Sequence, residues 1–96
     1  MKLRFKKKFV TLRLDEKELK ALESENRLEE EIPIGNTQIL YSIELVEDKD
    51  ISVEMETNHF SFFFPRQEIT GWRNSKKIGF EREMDTFTLV IERDMQ

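Results

Sequence analysis

The sequence contains no cysteine and little glycine or proline, and each shortage excludes a class of site. Without cysteine there is no disulfide, no thiolate metal site and no thiol nucleophile, and the redox compartment is left open. The three glycines are scattered at positions 35, 71 and 79, so there is no glycine-rich loop of the kind that cradles phosphates. With two prolines and no low-complexity tract nothing is typical of a linker, and the 96 residues predict a single domain, 1–96.

Histidine is almost absent as well, since His59 is the only one. A nucleophilic triad needs a base held against a serine or cysteine and oriented by a carboxylate, and no nucleophile motif accompanies this residue. No second histidine stands at a spacing that would suit a metal. We interpret His59 as a surface residue beside a turn, and we expect no catalytic residue, metal or cofactor.

Long apolar runs are also missing. None approaches the roughly 18 residues that a membrane-spanning helix needs, and the basic N-terminus leads into alternating residues rather than an apolar signal core. We therefore expect a cytoplasmic protein that does not enter a membrane.

Charge is abundant but unevenly placed. Residues 1–13 carry six basic residues and no acid, whereas residues 14–58 carry fourteen acids against four bases. The formal net charge of -4 disfavours undirected binding to nucleic acid or to an anionic membrane. The uneven layout can still create a local basic surface on an acidic protein.

Two stretches share a pattern of apolar residues at an offset of fifty positions. Residues 52–72 overlie residues 2–22 without a gap, so that Phe62 falls on Leu12. A hairpin followed by a helix would produce part of this correspondence by chance, because both stretches obey periods of two and 3.6. The gapless register across two turns and a helix start favours pseudo-repeats, which we place at 2–48 and 51–94.

The periodicity predicts the same order of elements in both halves. Two short strands within 2–14 lead to a helix over 16–23, with Asp15 as its N-cap and Glu18 as the capping-box partner. Strands over 27–34, 37–46, 52–56 and through Phe64 follow, then a helix with Pro65 in its first turn, and strands over 77–83 and 86–93. The order strand, strand, helix, strand, strand occurs twice. It predicts an α+β fold, a bent antiparallel sheet or small β-barrel of about eight strands capped by two short helices.

Four strings resemble a family of short uncharacterised bacterial proteins: VTLRLDEKELKAL near the start, FFFPRQEITGW in the middle, then IGFERE and the ending LVIERD. That family shares an arginine-rich first strand with a helix after it, an extended segment ending in proline before a tryptophan-terminated helix, and a last strand ending in an acidic, basic, acidic step. The resemblance covers nearly the whole chain and implies no activity. Many members continue to a cysteine, which this chain lacks, so no role for that residue is implied.

Each half, for example FSFFFPRQEITGWRNSKKIGFERE, is more loosely similar to the swapped-hairpin unit of bacterial transition-state and antitoxin regulators. Those units pair as homodimers and bind DNA, so the similarity implies a fused pseudo-dimer with a DNA-binding hairpin. The chain departs from the pattern at two places. Residues 74–77 replace the expected glycine-aspartate turn, and only the first half has a basic hairpin.

The candidate contact surface combines the basic first hairpin with two phenylalanines that break the alternation: Lys2, Arg4, Lys6, Lys7, Lys8, Phe9, Arg13 and Phe63. The cations could bind an anionic partner, pair with Glu54 and Glu56 within the chain or between subunits, or remain solvated. We predict a non-enzymatic interaction module for a protein partner or for self-association, with a DNA-binding regulator as the alternative.

Three consecutive glutamates leave a second alternative, a metal-dependent enzyme acting on phosphorylated substrates. Strand alternation places Glu29 and Glu31 on one face and Glu30 on the other, so at most two carboxylates converge. A solvated edge strand whose charges oppose aggregation is the simpler interpretation.

Overall fold

The computed structural model describes residues 1–95, which form eight strands and two helices. In chain order these are β1 Lys2–Lys6, β2 Phe9–Leu14, α1 Glu16–Glu25, β3 Arg27–Ile34, β4 Thr37–Val46, β5 Ser52–Glu56, β6 His59–Pro65, α2 Arg66–Arg73, β7 Gly79–Glu83 and β8 Thr88–Arg93. The α+β class and the repeated order of strand, strand, helix, strand, strand are confirmed. Within residues 1–95, neither helix is long and apolar enough to cross a membrane.

The strands form two four-stranded sheets, where we expected one bent antiparallel sheet or a small barrel. Sheet A has the order β1-β2-β8-β7, and sheet B has the order β3-β4-β6-β5. Antiparallel hairpins form the two sides of each sheet, but the central pairs, β2 with β8 and β4 with β6, are parallel. Alternation along a strand specifies which face a residue occupies and not the direction of the neighbouring strand, so the parallel pairs were not predictable from it.

Each half of the chain divides its two hairpins between the two sheets. The first half gives β1 and β2 to sheet A and β3 and β4 to sheet B, while the second half does the reverse. The helices α1 and α2 are the crossovers between the sheets. Neither half contains a complete sheet, so both sheets depend on contact between the halves.

Backbone contacts at the parallel strand pairs correspond between the two halves. The amide of Leu40 donates to the carbonyl of Asn58 at 2.8 Å, where β4 meets the turn before β6. At the equivalent place the amide of Thr88 donates to the carbonyl of Lys8 at 2.7 Å, where β8 meets the turn before β2. The registers of the two parallel pairs correspond in the same way.

The core lies between the inner faces of the two sheets and beneath both helices. Its buried apolar side chains come from every layer: Val10, Leu12, Leu14, Leu89 and Ile91 from sheet A, Tyr41, Ile43, Leu45, Phe62 and Phe64 from sheet B, Leu19, Leu22, Ile69 and Trp72 from the helices, and Ile51. The ring of Phe64 stacks on that of Trp72, with centroids 5.2 Å apart. Fully burying a side chain of this kind contributes about 1.5–3 kcal/mol, so the inward stripe of each strand largely determines the fold.

The ends of the helices follow local chemistry. The Asp15 carboxylate accepts from the Glu18 amide at 2.8 Å and the Glu18 carboxylate accepts from the Asp15 amide at 2.9 Å, so the predicted capping box is confirmed. α1 runs two residues beyond the predicted 16–23 and stops at Asn26, which adopts a left-handed φ of 68° that asparagine tolerates. Pro65 lies one residue before α2, as the last residue of β6, and not in the first turn of the helix.

The amino group of Met1 anchors the start of β1. It donates to the carboxylates of Glu18 and Glu30, the latter at 2.9 Å, and the Tyr41 hydroxyl lies 2.6 Å from Glu30 and 2.8 Å from the Met1 carbonyl. Burial lowers the pKa of the amino group, but the hydrogen bonds and charges of the two glutamates outweigh burial, so the pKa is raised. Burial also opposes ionisation of Glu30, yet its bonds to Tyr41 and the amino group leave its pKa lowered.

Gly79 provides a test of the sheet A pairing. A Cβ at this position would lie 2.5 Å from the Ile91 carbonyl oxygen and 2.7 Å from the Glu92 Cα, atoms of the paired strand that cannot move aside. We expect Gly79→Ala to lower the free energy of unfolding by about 1–3 kcal/mol. The matched control is Gly71→Ala on α2, where nothing lies within 4 Å of the new methyl group. That change should stabilise by up to about 1 kcal/mol, because alanine favours the helix. Urea unfolding measures both, and equal effects would contradict the pairing.

The Met1 anchor predicts a pH dependence of stability. Because the folded-state pKa of the amino group is raised, its contribution is complete below the unfolded-state value near 8.0 and is lost as the pH rises through the folded-state value. We expect N-terminal acetylation to lower the free energy of unfolding at neutral pH and to have little effect at high pH. Glu30→Gln in the unmodified chain should reproduce part of the loss. Equal stability of acetylated and free chains at neutral pH would show that the anchor contributes nothing.

Candidate functional site

The basic hairpin, which we define as residues 2–13, forms one side of sheet A. β1 is the outermost strand, and a two-residue turn, Lys7 and Lys8, joins it to β2. Lys7 adopts a positive φ of 54°, a conformation that is uncommon for a residue with a side chain and costs on the order of 1 kcal/mol. Three adjacent lysines also repel one another. The sequence of this turn is therefore not what stability alone would favour.

Four cations of the basic hairpin are not neutralised by the protein. Lys2 pairs with Asp94 at 2.9 Å and Arg13 pairs with Glu92 at 2.7 Å. Among residues 1–95, the other four basic side chains of the hairpin make no ion pair within 4.0 Å; these are Arg4, Lys6, Lys7 and Lys8. All four are exposed. They create a local positive charge on an acidic protein.

Two phenylalanines accompany these cations. Phe9 is 44% exposed and lies on the outer face of sheet A, opposite Lys6 on one side and Thr88 on the other. Phe5 is 55% exposed and projects from the inner face of β1, where its ring centroid lies 5.4 Å from that of Phe60. The hairpin therefore combines exposed cations with exposed aromatic surface.

Phe63 does not join this surface. It lies on the outer face of sheet B, whereas Phe9 lies on the outer face of sheet A, so the structure divides the predicted contact residues between two sheets. Phe63 is half-buried, although the sequence predicted an exposed side chain. The reason is that β6 is an interior strand, so Glu44 and Ser52 flank this position from both neighbours.

Of the alternatives for the basic hairpin, pairing with Glu54 and Glu56 within the chain is wrong. It assumed that β1 and β5 lie close together in one sheet, but they are edge strands of different sheets. Within residues 1–95 neither glutamate makes an ion pair within 4.0 Å. The pseudo-equivalent positions thus carry opposite charges that the fold keeps apart.

The outer face of sheet B is acidic. The register places five carboxylates on it: Glu29, Glu31, Glu44, Glu54 and Glu56. Arg27 pairs with Glu29 at 2.8 Å, and this bond is the main reason that the pKa of Glu29 is lowered. As predicted, Glu30 lies on the opposite face, where it binds the Met1 amino group. Among the residues that the structure describes, no group of three or more histidine or acidic side chains could hold a metal ion.

A contact between Ser42 and His59 on the outer face of sheet B was not predicted from the sequence. Ser42 is only 3% exposed, and its Oγ lies 3.4 Å from Nε2 of His59, with Glu29 beside Ser42 across the β3 pairing. Serine, histidine and carboxylate are the residue types of a hydrolase triad. However, β4 is hydrogen-bonded to strands on both sides, so its amides are not available to form an oxyanion hole. The contact links the adjacent strands β4 and β6.

Two open cavities occupy equivalent positions in the two halves. One, of about 340 Å³, lies beside Met1, Glu18 and Leu28, and the other, of about 440 Å³, lies beside Ile51 and Arg82. The Met1 amino group occupies the acidic end of the first. In the second, a guanidinium nitrogen of Arg82 donates to the Ile51 carbonyl at 3.1 Å. Each cavity thus lies beside a contact that fixes the chain just before the first strand of its half.

Comparison with known proteins adds one assignment. No curated protein and no solved structure matches the chain. The similarity to swapped-hairpin regulators therefore receives no support from relatives. A family model described as a family of unknown function, DUF7009, matches residues 1–96, in agreement with the resemblance to an uncharacterised family. The chain belongs to this family of unknown function.

Proposed function

We propose that the chain is a non-enzymatic interaction module that docks an acidic protein surface on its basic hairpin. The observation that carries the proposal is the set of four exposed cations, Arg4, Lys6, Lys7 and Lys8, that make no ion pair within residues 1–95. Other exposed lysines, such as Lys17 and Lys20 on α1, also make no ion pair within residues 1–95, so the basic hairpin is distinguished by the clustering of its four cations around one turn.

The strength expected of such a surface supports a transient contact. An exposed ion pair contributes about 0.2–1 kcal/mol, so four of them supply only a few kcal/mol before the cost of association is subtracted. Full burial of a side chain of this kind contributes about 1.5–3 kcal/mol, so covering the 44% of Phe9 that is exposed would add about 1 kcal/mol that salt does not screen. Binding needs both the ion pairs and the apolar contact of Phe9. We therefore expect an affinity that falls as salt rises but is not lost completely.

The charges around the hairpin favour a protein partner over a duplex. The outer face of sheet A changes from basic on β1 to acidic on β7, where Glu81 and Glu83 face outward, so the positive strip is narrow. A DNA duplex is charged along its whole length and would approach these acids as it crosses the outer face of sheet A. A protein surface can present its acids on one patch alone.

Duplex DNA is the second candidate partner, because the same cations can neutralise phosphates. That function requires salt-sensitive binding to duplex DNA that is lost when Arg4, Lys6 and Lys8 are replaced by glutamate. Under our proposal, a fluorescence anisotropy titration with a labelled duplex shows no saturable binding at physiological salt. Saturable binding that the triple variant abolishes would favour the DNA-binding regulator.

The proposal itself is tested with poly-L-glutamate as the acidic probe. We expect the chain to be retained on immobilised poly-L-glutamate at low salt and released as salt rises, and Arg4→Glu/Lys6→Glu to abolish retention. The control is Lys17→Glu/Lys20→Glu, which changes the net charge equally at two exposed α1 positions. The control should be retained like the parent chain. If both variants lose retention to the same extent, net charge rather than the basic hairpin determines binding, and the proposal fails.

A further inference from the structure

Two edge strands of the molecule are equivalent in position and opposite in charge. β1 and β5 each have five residues, each begins its half of the chain, and each lies at the edge of its sheet. An edge strand exposes backbone amides and carbonyls that can pair with another strand. Such an edge is a site for β-strand addition when side chains do not prevent it.

The outward side chains of these edges exclude pairing between like strands. β1 directs Lys2, Arg4 and Lys6 outward, and two β1 strands side by side would bring these cations together. β5 directs Glu54 and Glu56 outward, and two β5 strands would repel in the same way. Like charges directly opposite one another in a sheet are destabilising, whereas opposite charges stabilise.

Pairing between β1 and β5 is favourable in either direction. In an antiparallel pair centred on Arg4 and Glu54, Lys2 lies opposite Glu56. In a parallel pair that begins with Lys2 opposite Ser52, Arg4 still lies opposite Glu54 and Lys6 opposite Glu56. Both arrangements place Arg4, Glu54 and Glu56, which make no ion pair within residues 1–95 of the isolated chain, opposite side chains of the other sign. In the antiparallel arrangement the partner of Glu56 is Lys2, which already pairs with Asp94.

The inner-face side chains of β1 and β5 are also complementary, because they are apolar on both strands. Phe5 and Met55 are 55% and 46% exposed, and Leu3 and Val53 are their apolar neighbours along the two strands. Pairing places these four side chains together in either direction and covers apolar surface that is otherwise open to water.

The other two edges fit β1 less well, although both are acidic. β3 contains Pro33, which has no amide hydrogen to donate. β7 would place Arg82 at the inward position, opposite the apolar side of β1, while its guanidinium is already bonded to the Ile51 carbonyl. β5 is the acidic edge whose inward residues, Val53 and Met55, are apolar.

We propose that the acidic partner of the basic hairpin is a second copy of this chain, joined by pairing of edge strand β1 of one copy with edge strand β5 of the other. This inference rests on the proposed function and specifies its partner. Each copy carries both edges, so the contact can occur twice in a closed pair or once at each junction of a longer assembly.

The first test is the mass of the protein in solution as salt is varied. Sedimentation equilibrium at low salt should give a mass of two or more copies, which falls towards one copy as salt rises because the edge charges are exposed. A single copy at every protein concentration at low salt overturns the inference. Retention on poly-L-glutamate would in that case persist, so the proposed function and this inference can fail separately.

The second test uses two charge-reversed variants that complement each other. Arg4→Glu/Lys6→Glu makes both edges acidic, and Glu54→Lys/Glu56→Lys makes both basic, so each alone should associate at least about tenfold more weakly than the parent chain. An equal mixture should recover association, because an acidic β5 or β1 then meets a basic one. The variant with two basic edges should also keep its retention on poly-L-glutamate.

Circular dichroism and thermal unfolding of each variant should show that the fold is retained, because all four positions are exposed. Lys17→Glu/Lys20→Glu is again the control and should associate like the parent chain. If the parent chain associates but the mixture of variants does not, or if either variant alone associates normally, the contact lies elsewhere and the inference is wrong.

Discussion

The parallel pairing between the two halves of the chain is the contact on which the rest of the structure depends. β2 meets β8 and β4 meets β6 at the centre of the two sheets, so each sheet is completed only when a hairpin of one half lies beside a hairpin of the other. The buried side chains of both sheets and both helices converge on one core, and Phe62 and Leu12 occupy equivalent central positions in it. A half on its own would leave the edges of its central strands and its apolar face exposed.

Much of this fold follows from local patterns in the sequence. Alternation gave the strands and their inward residues, and Asp15 with Glu18 located the start of α1. The direction of the central pairs did not follow, because Val10, Leu12 and Leu14 would be buried equally beside a parallel or an antiparallel neighbour. That direction depends on how the hairpins of the two halves are shared between the sheets, which is a property of the whole chain. The apolar pattern of a single strand does not specify the direction of its neighbour.

The candidate surface was predictable to a smaller extent. The exposure of Phe9 and of the lysines follows from their place in a hairpin, but the separation of Phe63 from them depends on how hairpins are shared between sheets. Because β1 and β5 lie in different sheets, their opposite charges do not neutralise each other within the chain. The two halves adopt the same order of strands and helices although they carry opposite charges at some equivalent positions. Folding therefore does not require a particular charge at those positions. Arg4 against Glu54 and Lys6 against Glu56 are such positions, and this is why we assign function to the edges.

The most direct test of this account is amide hydrogen exchange measured at low and high protein concentration. If β1 of one copy pairs with β5 of another, the amides on the unpaired edges of these two strands gain protection from exchange as the protein concentration rises at low salt. The edge amides of β3 and β7 do not. Protection that is independent of concentration on all four edges, or that rises on β3 or β7 instead, would contradict the account.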